Sequence, residues 1–92
     1  MRRFAHVITR QLDLFEDDGL LVEVHDAKER YDRAARDEAE EAFGDYMDVV
    51  DAVKDALADM RDAFARTLDG DAVERYEGAF ERAARKRWRW LA

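Results

Sequence analysis

The chain has 92 residues, enough for one domain with its own hydrophobic core, and we expect residues 1–92 to fold as a single unit. It contains no cysteine and no serine, which excludes disulfide bonds, thiolate metal sites and catalysis by a Ser or Cys nucleophile of this chain. The hydrophobic content of 48% and charged content of 42%, without proline, are typical of long helices, and the net charge of −7 argues against general binding to nucleic acid.

The sequence predicts a cytoplasmic protein without a membrane span. No apolar run reaches the roughly 18 residues that cross a bilayer. The first residues lack the apolar stretch of a secretory signal peptide, and the absence of cysteine fits a reducing compartment.

The N-terminal third carries two apolar stripes at helical spacing, and a five-residue step puts them out of phase. The stripes consist of Phe4, Ile8, Leu12 and Phe15, followed by Leu20, Val24, Ala27, Tyr31 and Ala34. The favoured interpretation is one kinked helix over about 3–34, and the second is two helices broken at Gly19. A third is a β-hairpin of residues 11–15 and 20–25 across Asp18-Gly19.

The middle of the chain has the most regular pattern, with apolar heptads like those of a coiled coil. Three neighbouring heptad columns are Phe43, Val50, Leu57 and Phe64; Tyr46, Val53, Met60 and Thr67; and Ala42, Val49, Ala56 and Ala63. So wide a stripe predicts a helix over about 38–68 that packs against two neighbours. Asp37 and Glu40 have capping-box spacing at its start, and Gly70 can adopt the left-handed conformation that closes its end.

A third helix is predicted from about residue 72 to the C-terminus, with Asp71 as its N-cap and Glu74 at the matching position. The links around residues 35–37 and 68–71 are short, so consecutive helices should be antiparallel. The sequence therefore predicts an all-α fold. Its specific form is an antiparallel up-down-up three-helix bundle, built from a long helical hairpin and an N-terminal helix.

The two short links also fix a register in which apolar residues face each other. The predicted pairs between the middle and last helices are Phe64/Tyr76, Met60/Phe80, Leu57/Ala84 and Val53/Trp88. The predicted pairs between the first and middle helices are Tyr31/Ala42, Val24/Val49, Leu12/Met60 and Phe4/Leu68. Because apolar meets apolar at every position, the register supports the bundle.

Neither histidine has the spacing of a metal ligand, and we predict no metal and no other cofactor. A di-iron Glu-x-x-His motif needs a glutamate three residues before the histidine, but Val22 precedes His25 and Arg3 precedes His6. We expect His25 to make a surface contact with Glu29, one helical turn later.

Aspartates recur every seven residues along the middle helix, at Asp48, Asp55, Asp62 and Asp69. The favoured interpretation is a solvated face that arginines of the third helix partly neutralise. The alternative is a divalent-metal site, which requires carboxylates of two helices to converge on one point.

The C-terminal segment is the most distinctive, because residues 82–92 carry five basic side chains and no acidic one. Arg87 projects towards the core side of the helix, with a tryptophan on each flank. In the favoured interpretation the segment closes the end of the bundle, and Arg87 pairs with Asp48 or Asp51. In the other it is a docking patch whose candidate partner-binding residues are Arg85, Arg87, Trp88, Arg89 and Trp90.

The sequence favours a non-enzymatic structural or protein-interaction module that forms a homodimer or binds another protein, with no small-molecule substrate. Two alternatives remain open. One is a divalent-metal-dependent enzyme that uses the carboxylates of the middle helix. The other is a module that docks on polyanions through its basic, tryptophan-containing C-terminus.

Overall fold

The computed structural model of the protein describes residues 3–91. Four α-helices follow each other as α1 (Ala5–Glu16), α2 (Gly19–Arg33), α3 (Ala39–Ala65) and α4 (Asp71–Arg87), and a 3-10 turn over Arg89–Leu91 follows α4. The described residues contain no strand, which confirms the all-α class and shows that the hairpin interpretation was wrong. The three-helix bundle is not confirmed, because the N-terminal third forms two helices.

The break in the N-terminal third lies at Asp17 and Asp18, so the favoured prediction of a single kinked helix was wrong. Asp18 has an extended backbone (φ −77°, ψ 141°), and its side chain accepts a hydrogen bond of 3.0 Å from the amide of Leu20. This cap satisfies an amide that the first turn of a new helix leaves without a partner. The second interpretation, two helices broken at Gly19, is therefore the one observed.

The predicted side-chain caps of α3 and α4 are absent. The amide of Glu38 donates to the carbonyl of Ala35 at 2.9 Å, so a turn precedes α3 and Glu38, rather than Asp37, takes the cap position without a side-chain bond. Asp71 is the first helical residue of α4, which leaves Gly70 at the cap. The helix predicted over 38–68 is shorter at its C-terminal end, where α3 stops at Ala65.

Gly70 has a positive φ of 56° with ψ −134°, a conformation that L side chains rarely adopt. We therefore expect Gly70→Ala to lower the free energy of unfolding by about 1–3 kcal/mol in a urea titration. Gly44 is the matched control, because it lies inside α3 and an added Cβ meets no atom within 4 Å. Gly44→Ala should raise the free energy of unfolding by about 0.5–1 kcal/mol. Equal effects of the two substitutions would contradict this account.

The helix directions follow from contacts between named side chains. The ring centroids of Phe64 and Tyr76 are 4.8 Å apart, as the register predicted, and Arg61 reaches Glu81 at 3.5 Å. The earlier residue of α3 meets the later residue of α4, so these helices are antiparallel.

In contrast, α1 and α4 run in the same direction. Phe4, just before α1, contacts Tyr76 early in α4 at 5.5 Å between ring centroids, and Phe15 at the end of α1 contacts Trp88 just after α4 at 5.8 Å. Between these two contacts the helices enclose most of the core. The buried core residues are Ile8, Leu12, Phe15, Val24, Val53, Leu57, Ala65, Tyr76, Phe80, Ala84 and Trp88.

The molecule is elongated, with extents of 51 × 19 × 19 Å. Helix α3 has 27 residues and α4 only 17, and Leu91 shares a groove with Lys54 and Leu57 of α3. Helix α4 and its 3-10 turn therefore cover only the C-terminal part of α3, and α1 packs with α4 there. At the other end α2 packs on the N-terminal part of α3. We call this second region, α2 with residues 39–50 of α3, the hairpin end.

Candidate protein-interaction sites

The C-terminal segment turns back on the core instead of continuing as a helix. The amide of Trp88 still donates to the carbonyl of Ala84 at 2.8 Å, but Trp88 itself is extended (φ −123°, ψ 91°). Its side chain is only 8% exposed and packs on Phe15, while Trp90 is half-buried against the core. Because α4 ends at Arg87, the helical projection used to place the two tryptophans on either flank does not apply beyond that residue.

Arg87 pairs with carboxylates of α1. Its Nη2 lies 2.7 Å from Oδ1 of Asp13, and its Nε lies 3.5 Å from Oε1 of Glu16. The predicted pairing with Asp48 or Asp51 of α3 was therefore wrong. The physical reason is the direction of α1: it runs parallel to α4 and ends beside it, so the acids of its last turns reach the guanidinium.

The other basic side chains of the segment point to solvent. Arg85, Lys86 and Arg89 are exposed, and none of them makes a salt bridge within residues 3–91. They lie at the C-terminal end of α4, where the helix dipole favours positive charge. Of the five candidate partner-binding residues, Arg87 and Trp88 are thus engaged inside the chain, Trp90 is half-buried, and Arg85 and Arg89 are exposed.

The structure disperses the carboxylates that the metal hypothesis needs. Asp48, Asp55 and Asp69 are exposed, and Asp62 lies 2.9 Å from Arg61 of its own helix. Within the described part of the chain, no group of three or more His, Cys, Asp or Glu side chains could hold a metal ion. We expected arginines of the last helix to neutralise the aspartates of α3 in part. For Arg87 this expectation was wrong, because its side chain binds Asp13 and Glu16 of α1.

The histidines lie on the surface. His6 is exposed, and Nε2 of His25 lies 2.8 Å from Oε2 of Glu29, which confirms the predicted contact one turn apart. Both members of the pair are well solvated, so it contributes little to stability.

Tyr76 is the most enclosed polar side chain of the core. It is 0% exposed, and its hydroxyl donates a hydrogen bond of 3.0 Å to Oε1 of Gln11 on α1. Burial raises the pKa of the Tyr76 phenol above its usual value of 10.0, so the group is neutral at neutral pH. Its role is to hold α1 on α4.

The hairpin end carries an aromatic cluster of two half-buried tyrosines and one exposed phenylalanine. The ring of Tyr31 lies 5.3 Å from that of Phe43 and stacks on Tyr46 at 6.4 Å. Phe43 is 46% exposed. It belongs to the same heptad column as Leu57, which is buried, and Phe64, which packs on Tyr76 of α4.

The sequence placed Phe43 correctly in that column but missed its exposure. The column faces α4 along the C-terminal part of α3, whereas Phe43 lies about three turns before Lys54, beyond the point that α4 and its 3-10 turn reach. The signal was the unequal length of the two predicted helices, because a shorter last helix cannot cover the whole stripe of a longer partner.

None of the helices formed by residues 3–91 is long and apolar enough to cross a membrane. No protein-family model, curated protein or solved structure matches the chain. The candidate surfaces are therefore defined by the chain's own geometry. One is the aromatic cluster of the hairpin end, and the other is the group of exposed basic side chains, Arg85, Lys86 and Arg89, at the end of α4.

Proposed function

We propose that the protein is a non-enzymatic helical interaction module that associates with a second copy of itself through the hairpin end. The observation that carries this proposal is the 46% exposure of Phe43, at the start of a heptad column in which Val50 and Leu57 are buried and Phe64 packs on Tyr76 of α4. Aromatic side chains are enriched in the buried centres of protein interfaces, where they supply much of the binding free energy.

The helix arrangement supports the same proposal. In this proposal, α1 and α2 together act as the first helix of an up-down-up bundle, with α3 as the second and α4 as the third. The third position is open around Phe43 at the start of α3 because α4 stops short, whereas Val50, later in the same heptad column, is already buried. A second copy fills that position and covers the aromatic cluster of Tyr31, Phe43 and Tyr46.

The size of the hairpin end sets the expected strength of association. It is about 22 Å long and no wider than 19 Å. This footprint is on the order of 400 Å² per copy, below the roughly 800 Å² per partner of a stable interface. We therefore expect weak, reversible association with a micromolar or higher dissociation constant.

Sedimentation equilibrium from micromolar to millimolar protein tests the proposal. The wild-type mass should rise from 10.8 kDa towards twice that value, and Phe43→Glu should remain monomeric because a charge then lies in the interface. Leu14→Glu is the matched control, since Leu14 is 62% exposed on α1, away from the hairpin end. A wild-type mass of 10.8 kDa at every concentration, or equal association of Phe43→Glu and wild type, would refute it.

A further inference from the structure

The start of α3 and the end of α4 carry opposite net charges, although Arg30 and Arg33 of α2 share a groove with Glu38 and Glu41. Residues 37–51 contain seven acidic side chains and no basic one. Glu38, Glu40 and Glu41 at the start of α3 are exposed and make no salt bridge within residues 3–91. We call these three the acidic tip, and we call Arg85, Lys86 and Arg89 at the end of α4 the basic end.

The acidic tip and the basic end of one copy are too far apart to neutralise each other. Arg85 and Leu91 line a groove with Lys54 of α3. From Lys54 back to Ala39 the helix rises about 22 Å. That separation is more than twice the Debye length of about 8 Å at physiological ionic strength, so attraction within one copy is screened.

The same separation fits a second copy laid antiparallel on the hairpin end. An antiparallel copy that covers the hairpin end along its full length brings its acidic tip beside the basic end of the first copy. Two-fold symmetry makes the contact reciprocal, so the interface gains two clusters of opposite charge. A parallel copy would instead place one acidic tip beside the other, and like charges would repel.

We infer that two copies associate antiparallel across the hairpin end, with the acidic tip of each copy against the basic end of the other. This inference rests on the proposed self-association and adds its orientation and its charged contacts. It assigns Arg85 and Arg89 to the interface, together with Phe43.

Cross-linking tests the orientation, because the chain has no cysteine and an introduced thiol is unique. Glu40→Cys and Arg89→Cys are prepared separately and treated with a short bis-maleimide. The antiparallel arrangement predicts cross-linked dimers when the two variants are mixed and only background when each is treated alone. A parallel arrangement predicts cross-linking of Glu40→Cys with itself, and that result would overturn the inference.

Charge reversal tests the contacts independently. Arg85→Glu combined with Arg89→Glu should weaken association by about tenfold or more at low salt. Adding Glu38→Arg and Glu40→Arg to the same chain should restore it, because the reversed clusters again attract. The control Arg10→Glu with Arg66→Glu has the same net charge as the weakened variant but changes exposed arginines outside the hairpin end. It should associate more tightly than the Arg85/Arg89 variant, and equal weakening of the two would overturn the inference.

The sedimentation mass of the mixed cysteine variants separates the two levels of failure. A mass that rises with concentration, without cross-linking between the different variants, leaves the self-association standing and refutes the antiparallel contact. A mass that stays at 10.8 kDa refutes the self-association itself.

Discussion

Replacement of Tyr76 by alanine is expected to lower the free energy of unfolding by about 3–5 kcal/mol. The ring is 0% exposed and contacts Phe4, Phe64 and Phe80 at centroid distances of 5.5, 4.8 and 5.9 Å. The substitution leaves a cavity where α1, α3 and α4 meet. Because a domain of this size is stable by only about 5–15 kcal/mol, the substitution should remove between about a fifth and all of that stability. Urea titration followed by far-ultraviolet circular dichroism measures the loss.

Two controls show how much of this loss is due to the ring, to its hydroxyl and to the position of the residue in the core. Tyr76→Phe keeps the ring and removes the hydrogen bond to Gln11, so it should lose only about 0.5–1.5 kcal/mol. Tyr46→Ala removes a half-buried tyrosine at the hairpin end and should lose clearly less than Tyr76→Ala. If the two alanine variants were equally stable, the assignment of the core to the junction of α1, α3 and α4 would be contradicted.

Trp88→Ala is expected to have an effect of similar size, again about 3–5 kcal/mol. The side chain is 8% exposed, packs on Phe15, and closes the core where α4 ends. Trp90 is half-buried, so Trp90→Ala should cost clearly less. Thermal or urea unfolding of both variants compares the two tryptophans within the same short segment.

The Trp88 variant also distinguishes the two interpretations of the C-terminus. If Trp88 closes the core, its loss lowers stability even in dilute, monomeric protein. A Trp88→Ala variant that kept wild-type stability but lost self-association would instead make Trp88 part of the docking surface. Measuring unfolding below the association range keeps the two effects separate.

The regular helices and most of the core could be predicted from the sequence because burial imposes a period. The heptads of residues 43–64 predicted the long helix. The short link after that helix predicted the contact between Phe64 and Tyr76, which the structure contains. The spacing of apolar residues also predicted the five-residue phase step near Gly19. It favoured a kink there, because the pattern alone does not show that Asp18 caps a new helix.

The parts that could not be predicted depend on where helices end and which neighbours they meet. The partner of Arg87 is set by the end of α1 beside α4, and no periodic pattern encodes which of many acids is nearest. The exposure of Phe43 depends on how far α4 reaches along α3. Both follow from helix length and direction in three dimensions, whereas heptad spacing reports only which face a residue occupies.

Small-angle X-ray scattering at millimolar protein tests most directly whether two copies associate through the hairpin end. Each copy is 51 Å long. Two antiparallel copies that share a hairpin end of about 22 Å have a maximum dimension of about 80 Å. We expect this value for the wild type at high concentration, and a value near 51 Å for Phe43→Glu. A wild-type particle of doubled mass that remains close to 51 Å long would mean side-by-side packing and would contradict the account.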